Sequence, residues 1–300
     1  MFKNIIYLKY YIMFSYKNNN LLPLLITSSR RTDNSSVILF TNARDEPNIS
    51  EWIAHHLLLG FDKIVIFDHL SKIPIQTVIK NNFNQKLQVI RVDGSGNIKL
   101  TLMQKALDIA NKENHSWMLY LDADEYLNLN KCNNVKNLLS IFKEADSIGI
   151  NWLMFGTSGY KEQPKGLITE NFIRSDLRLN SHVKTFVRPS AVVRINNPHY
   201  FIMINQSRCY SVNGTRMPMG PFNNQPLPFI KAVAYIAHYY TQSEEEHLRR
   251  KSRILDDGSI NKAAGHPEVH KVYNNVVNNQ LQNKYSQNIK QYLENNNIKI

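Results

Sequence analysis

The stretch Trp117–Leu127, WMLYLDADEYL, decides the fold, because it joins five apolar or aromatic residues to a cluster of acids. A short apolar run of this kind is typical of a buried strand. The acids Asp122, Asp124 and Glu125 follow it directly. In open α/β sheets, the ligand crevice lies at the carboxyl ends of the strands. We therefore expect a strand over Trp117–Leu127 that carries ligand-binding acids towards its end.

The segments around this stretch repeat the pattern of strand and helix. Four further apolar runs predict strands, and they are Val37–Glu46, Ile64–His69, Leu87–Asp93 and Ser147–Phe155. Three intervening stretches predict helices, and they are Asn48–Leu59, the short Pro74–Asn82, and Lys99–Glu113. Uninterrupted apolar strands that alternate with amphipathic helices indicate a parallel sheet with helices on both faces. The sequence therefore predicts an α/β fold.

Four acids, Asp45, Asp68, Asp93 and Asp122, fall at the ends of predicted strands. These ends share one edge of a parallel sheet, so the acids favour a binding site there, and the alternative for each is a turn or helix cap. Asp122 and Asp124 stand two residues apart and share one face of an extended stretch. Both can then reach one hard cation, and Mg²⁺ held by one or two carboxylates usually completes its shell with water and substrate phosphates. Solvated acids in a turn are the alternative.

Two other protein classes also place acids after an apolar strand. The chain contains no G-x-x-x-x-G-K-[ST] motif, which excludes a P-loop ATPase. Phosphatases of the haloacid-dehalogenase type use an Asp-x-Asp strand, but Thr or Val usually follows their second Asp. Here that residue is Glu125, and the strand is the fourth rather than the first. A phosphotransfer or phosphatase enzyme therefore stays as a less favoured alternative.

Composition narrows the class of protein further. The 300 residues include 43% hydrophobic residues, which is typical of a folded globular chain. Two cysteines, Cys132 and Cys209, cannot form a disulfide framework or a structural zinc site. The net charge of +12 favours an anionic partner, yet the basic residues are spread along the chain, so we expect no nucleic acid. Five of them could line a phosphate-binding cleft or merely solvate one face, namely Arg174, Arg178, Lys184, Arg188 and Arg194.

Several blocks of sequence, taken in order, are similar to those of a known family. They are Asn42–Glu46 (NARDE), Glu51–Ile53 with His56, Gly60–Phe61 with Phe67–Asp68, Asp122–Leu127 (DADEYL), Asn151–Trp152 with Phe155–Gly159, Lys184–Pro189 (KTFVRP), His199, and His238–Tyr240 with Ser243 and Lys251. On these blocks the chain, from Val37 to Arg253, resembles the metal-dependent glycosyltransferases of the GT-A fold, in the branch of families 2 and 92. It departs from them after Lys251, where a glycine often follows the terminal arginine of the family.

The resemblance implies a fold and a reaction. The fold is the Rossmann-like GT-A sheet, mostly parallel and flanked by helices, with an acceptor-side C-terminal half. The reaction moves a sugar from a nucleotide-diphosphate donor to an acceptor hydroxyl, with inversion and a divalent cation, Mn²⁺ or Mg²⁺. The acceptor is a glycan, a protein or a lipid. A nucleotide-sugar or glycan binding module on the same fold, without catalysis, is the second function to consider.

The resemblance also assigns roles to residues. Those expected at the donor are Asn42, Arg44, Asp45, Glu46, Asp68 and Asp122. Asp122, Asp124 and His238 would hold the metal, although His238 lies in an apolar stretch and could be a core histidine. Glu170 and Asp176 are candidate bases, and Glu170 is preferred because Leu167–Phe172 resembles a family block. The alternative for Glu170 is an exposed acid at a helix start. His55 is expected to be solvated or to cap a helix, and His56 to be packed.

The same reading divides the chain. We expect a loosely ordered extension over residues 1–35 and a glycosyltransferase domain over 36–255, with a nucleotide-sugar half (36–130) and an acceptor half (131–255). A helical, Asn-rich tail covers 256–300. Membrane contact through residues 1–26 is not favoured, because lysines interrupt the apolar run. The compartment is not determined, with a cytoplasmic location favoured over secretion.

Overall fold

The computed structural model describes residues 35–79, 83–94, 98–224, 227–252 and 268–298. The expected extension lies outside these ranges except for Ser35, and so does the expected membrane contact of residues 1–26. The first part of the expected tail, residues 256–267, lies outside them as well. None of the helices within these ranges is long and apolar enough to cross a bilayer.

The described residues form strands and helices in alternation over the first half of the chain. The strands are β1 Val37–Ala43, β2 Lys63–His69, β3 Leu87–Val92, β4 Trp117–Tyr120, β5 Glu125–Leu129, β6 Ser147–Met154, β7 Arg174–Ser175, β8 Val183–Val187, β9 Val192–Arg194, β10 Ile202–Met203, β11 Cys209–Ser211, β12 Ala234–His238 and β13 Val276–Val277. The helices are α1 Ile49–Leu58, α2 Ile75–Ile79, α3 Lys99–Lys112, α4 Val135–Ser140, α5 Ile168–Asn171, α6 Glu244–Lys251 and α7 Gln287–Asn295.

One large sheet runs through the molecule in the order β3-β2-β1-β4-β8-β6-β12-β5, and β11 pairs with β6 beside this path. The pairs β1–β2, β2–β3, β1–β4, β6–β12 and β6–β11 are parallel. Strand β8 is antiparallel to both β4 and β6, and β5 is antiparallel to β12. The predicted α/β fold with a mostly parallel sheet flanked by helices is therefore confirmed. The division of the chain into two halves stays a prediction, since strands of both belong to this sheet.

The sheet has a hydrophobic core on each face. Val37 and Leu39 of β1 belong to the core that contains α1, while Ile38 and Phe40 belong to the core that contains α3. All four side chains are fully buried. Successive side chains of a strand point to opposite faces, so a strand covered on both faces needs an unbroken apolar run. This requirement explains the apolar runs of β1 and β2.

The predicted strand Trp117–Leu127 is in fact two strands with a turn between them. Strand β4 ends at Tyr120 and β5 begins at Glu125, while the backbone NH of Glu125 bonds the carbonyl of Asp122 at 3.0 Å. The chain has to turn here because β4 pairs with β1 and β8, whereas β5 lies at the far side of the sheet on β12. The inference that Asp122 and Asp124 share one face of an extended stretch was therefore wrong.

The C-terminal residues are an integral part of the core. Ile289 and Leu293 of α7 are buried in the same cluster as Trp52 and Ile53 of α1. Upstream of α7, β13 pairs with β7. Val272, in the described segment before β13, lies so close to Gly156 that a Cβ there would be 2.6 Å from the carbonyl oxygen of Val272. A glycine is needed at this position because a side chain would collide with backbone.

Candidate active site

The carboxyl-terminal edge of the sheet collects the predicted acids. Asp68 is the second-last residue of β2, Asp93 follows β3 directly, and Asp45 and Asp122 come two residues after β1 and β4. Strands β1 to β4 are parallel neighbours, so these positions lie along one edge. His238 ends β12 and lies opposite Met154 of the parallel strand β6. The structure thus brings His238 to the same edge as the acids.

Asp122 is surrounded by ammonium groups. It forms ion pairs with Lys99 at the start of α3 and, at 3.0 Å, with Lys184 of β8. Burial raises the pKa of Asp122, but Lys184 and Lys99 outweigh this effect and hold the pKa well below its usual value. Lys184 is itself buried, and the acids Asp122 and Glu125 raise its pKa to about 12 against the effect of burial. Asp122 is therefore an anion whose charge is balanced by the protein.

Asp124 faces a different set of groups. Its Oδ2 accepts a hydrogen bond from Nη1 of Arg250 in α6 at 2.6 Å and lies 3.6 Å from Nε2 of His238. Burial raises the pKa of Asp124, yet His238 and Arg250 bring it below its usual value. Burial lowers the pKa of His238, but Asp124 reverses this, so the pKa of His238 is raised. Arg250 also reaches Glu46 and Glu246, both at 3.0 Å.

Glu125 lies behind the two aspartates. Its Oε2 accepts the backbone NH of Asp122 at 2.9 Å and stands 3.5 Å from Nζ of Lys184. The side chain is fully buried, its Oε1 has no hydrogen-bond partner among the described residues, and burial raises its pKa to about 7. Glu125 therefore fixes the turn that carries Asp122 and positions Lys184.

Five aromatic and imidazole rings line the edge next to these acids, and we call them the ring cluster: Trp152, His182, His199, Phe222 and His238. Trp152 contacts three of the others, with centroid distances of 4.4 Å to His238, 5.0 Å to His182 and 5.1 Å to His199. Phe222 meets His182 edge-on at 4.7 Å. Burial lowers the pKa of His182, and it lowers the pKa of His199 to about 4. These two imidazoles are therefore neutral at pH 7.

The predicted donor-binding residues lie at the ends of β1 and β2. Asn42 is in β1 and its Oδ1 accepts a hydrogen bond from the hydroxyl of Tyr120 at 3.2 Å. Arg44, half-buried, follows β1 directly. Asp45 has a positive φ of 52° and its Oδ1 accepts the NH of Lys72 at 2.7 Å. Glu46 pairs with Arg250. Of these residues, Glu46 is tied to Asp124, because both acids pair with Arg250.

The carboxylate of Asp68 is held by several hydrogen bonds within the protein. Its carboxylate accepts the NH groups of Ser71 at 3.3 Å and Ile75 at 3.0 Å and a hydrogen bond from Arg91 at 2.9 Å. Burial raises the pKa of Asp68, but these hydrogen bonds outweigh it and lower the pKa. Asp68 thus shapes the loop after β2, which is the turn alternative, and its contact with a nucleotide stays a prediction.

The two candidate bases lie in different surroundings. Glu170, in α5, forms an ion pair with Lys290 of α7 at 2.7 Å. Asp176 follows β7, where its NH donates to the carbonyl of Met154 at 3.0 Å. Because Met154 is opposite His238 in the sheet, Asp176 lies near the edge that holds the other acids. Burial raises the pKa of Asp176, which makes it a stronger base.

Several residues of this site were not singled out from the sequence. Lys99 and Arg250 received no role, and Lys184 was grouped with four arginines that could equally have been solvated. A buried lysine in the apolar strand VKTFV is a usable signal, since a lysine is rarely fully buried unless it is paired. His55 was predicted to be solvated or capping, but it is buried and bonds the carbonyl of Leu127 at 2.8 Å.

The sequence profile of glycosyltransferase family 92 matches residues 38–297. A glycosyltransferase family 92 protein from Ricinus communis is 22% identical over 221 residues, which cover 68% of this chain and 39% of that relative. This chain thus spans well under half the length of that protein.

Solved structures give weak similarities. TarS residues 1–349 from S. aureus is 15% identical, with a TM-score of 0.39 and coverage of 72% of this chain and 64% of that one. HddC from Yersinia pseudotuberculosis is 12% identical, with a TM-score of 0.35 and coverage of 59% and 91%. The profile match extends over most of the chain, from the first strand of the sheet to the last helix. The chain belongs to glycosyltransferase family 92.

Proposed function

We propose that this chain transfers a sugar from a nucleoside-diphosphate donor to an acceptor hydroxyl, with inversion by direct displacement. The observation that carries the proposal is the arrangement of Asp122 and Asp124 among Lys99, Lys184 and Arg250 at the ligand-binding edge of the sheet. The leaving diphosphate gains negative charge during transfer, so fixed cations at this edge stabilise it. Donor binding through Asn42–Glu46 and Asp68 belongs to the same proposal.

A divalent cation, Mn²⁺ or Mg²⁺, belongs to this proposal. The side-chain atoms available at the site are of the types that bind such a cation. Oxygen atoms of Asp122 and Asp124 and the Nε2 of His238 suit Mn²⁺, with water and phosphate as further ligands. The buried Nδ1 of His238 and Oε1 of Glu125 have no partners among the described residues. Within the same ranges, no three His, Cys, Asp or Glu side chains lie together in an arrangement that could hold a metal ion. When bound, the cation would neutralise charge on the diphosphate.

The protein's own residues prepare this site. Arg250 and Lys99 form ion pairs with Asp124 and Asp122, the two carboxylates that would hold the cation. We propose that both cationic groups also bind the phosphates of the donor. The acceptor hydroxyl loses its proton to a carboxylate, for which we propose Asp176, with Glu170 as the alternative. Asp176 is favoured by its place beside Met154, while Glu170 is paired with Lys290.

The first experiment tests donor binding and transfer separately. Thermal stabilisation by UDP or GDP, with and without Mn²⁺, measures binding, and release of the nucleoside diphosphate from nucleotide sugars measures turnover. We expect Asp122→Asn and Asp124→Asn each to lower Mn²⁺-dependent turnover by about 10²–10³-fold, a magnitude typical of lost electrostatic stabilisation. Full activity in either variant would reject the Asp-x-Asp assignment. Donor binding with no turnover in the wild type would identify a binding module.

The second experiment separates the two bases. Asp176→Asn removes a base while preserving shape, so we expect turnover to fall about 10²–10⁴-fold with unchanged nucleotide affinity. Glu170→Gln serves as the matched comparison. An inactive Glu170→Gln beside an active Asp176→Asn would assign the role to Glu170. Two active variants would mean that neither carboxylate is the base.

A further inference from the structure

The ring cluster leads from the acids to the surface. At its inner end, His238 faces Asp124 at 3.6 Å. Trp152 stacks on His182 with an angle of 17° between the rings, and His182 contacts Phe222. At the outer end, Phe222 is 46% exposed. An exposed phenylalanine that continues a row of buried and half-buried rings offers apolar surface to a ligand at the site rather than to the core.

Two imidazole nitrogen atoms add hydrogen-bond acceptors to this apolar surface. Nδ1 of His182 lies 2.8 Å from Oδ1 of Asn180, and Nδ1 of His199 lies 3.2 Å from the carbonyl oxygen of Val183. Both partners are acceptors, so each Nδ1 carries the hydrogen and each Nε2 has a free lone pair. No hydrogen bond joins either Nε2 to another of the described residues, and neither atom is fully buried. The surface therefore presents two neutral hydrogen-bond acceptors beside flat rings.

This combination selects for one class of ligand. A pyranose ring has an apolar face of C–H groups and a rim of hydroxyl donors, so it can pack on aromatic rings while its hydroxyls donate to imidazole nitrogens. An alkyl chain would leave the two acceptors unused, and burying them without a donor costs free energy. A carboxylate or phosphate would find acceptors where it needs donors.

We propose that the ring cluster is a sugar-binding surface that holds a pyranose ring against the exposed side of Phe222 beside His182, with Nε2 of His182 and of His199 accepting bonds from its hydroxyls. This inference rests on the proposed function and adds the residues that recognise the sugar. The ring can come from the nucleotide-sugar donor or from a saccharide acceptor, since both present the same chemistry next to Asp124.

Saturation-transfer NMR on the full chain tests the proposal. The probes are UDP and GDP, the nucleotide sugars UDP-glucose, UDP-galactose and GDP-mannose, and the methyl glycosides of glucose and galactose. We expect the sugar C–H protons of at least one probe to receive saturation from the wild type. Phe222→Ala and His182→Ala should weaken that binding about tenfold or more and leave UDP and GDP binding unchanged. His182→Phe, which keeps a ring but lacks Nε2, should retain the C–H contact at reduced affinity.

The outcomes separate the possible sources of the ring and the possible failures. If the variants lose binding of the nucleotide sugars alone, the ring cluster binds the sugar of the donor. If they lose binding of the methyl glycosides, it binds the acceptor. Ile204→Ala, at a 70% exposed position directly after β10, is the control for removal of a surface apolar group. Folded His182 and Phe222 variants with wild-type sugar affinity would overturn the inference. So would a wild type that binds UDP or GDP but no sugar. A wild type that binds glycosides through these rings but no nucleotide would overturn only the proposed function.

Discussion

At the scale of single residues, Arg250 and Asp124 form the most consequential pair. Arg250 bonds three acids at once, Glu46, Asp124 and Glu246, and it is largely buried. Burial lowers its pKa, but these acids outweigh the effect and raise it further, so the guanidinium stays charged. A divalent cation that binds Asp124 must therefore compete with a fixed positive charge of the protein.

This competition predicts an unusual effect of removing a basic residue. In Arg250→Met, Asp124 loses its main counter-ion, so we expect Mn²⁺ to bind several-fold more tightly in the absence of nucleotide. Electron paramagnetic resonance of free Mn²⁺ during a titration measures this affinity. Arg249→Gln is the control, because Arg249 pairs with Glu246 and not with Asp124. Unchanged or weaker Mn²⁺ binding in a folded Arg250→Met would argue against Asp124 as a ligand.

The sequence predicted the acids of the site better than its cations. Asp68 and Asp122 follow apolar runs, which is a local pattern, and parallel pairing then places them at one edge. Arg250 and Lys99 pair with acids that are 126 and 23 residues away. Such partners depend on how α6 and α3 dock on the sheet, and no local spacing records this.

At the scale of elements, α5 is held by a side chain of another helix. Glu51 of α1 accepts the NH groups of Ile168 at 2.7 Å and Thr169 at 3.0 Å, together with the hydroxyl of Thr169 at 2.8 Å. Helix α5 has four residues, too few to be stable alone. The carboxyl group of Glu51 therefore supplies the N-terminal cap that α5 lacks in its own sequence.

The buried Glu51 makes the stability of the protein depend on pH. Burial, opposed by these hydrogen bonds, raises its pKa from 4.5 to about 7. Between these values the unfolded state loses its proton before the folded state, so the free energy of unfolding falls as pH rises, by at most about 1.4 kcal/mol per pH unit. Glu51→Gln removes this dependence. We expect urea unfolding from pH 4.5 to 8 to show wild type losing stability relative to the variant. A difference that does not change with pH would contradict the raised pKa.

The turn at Asp122–Asp124 shows where prediction of elements from sequence fails. The run Trp117–Leu127 has strand propensity on both sides of the acids, and nothing local separates one strand from two. The break exists because β5 pairs with β12, which lies more than 100 residues later. The early strands and helices were predicted well, since each is specified by its own apolar pattern.

At the scale of the whole molecule, the last helix, α7, packs in the same hydrophobic core as the first helix, α1. Ile289 is fully buried, and its neighbour Gln291 is exposed. We expect Ile289→Ala to cost about 2–5 kcal/mol of unfolding free energy, because it leaves a cavity against α1. Gln291→Ala should change it by less than about 0.5 kcal/mol. Urea denaturation of both variants measures this, and equal midpoints would mean that α7 contributes little.

The contact between α1 and α7 also has a consequence during synthesis on the ribosome. Trp52 and Ile289 share one core, yet more than 200 residues separate them. At about 5–20 residues per second, the apolar face of α1 waits on the order of ten to fifty seconds for its final partner. Contacts this distant in sequence also slow the closing step of folding. The nascent chain therefore exposes this apolar face for that whole interval. We expect chaperones that bind exposed apolar segments to raise the yield of folded protein.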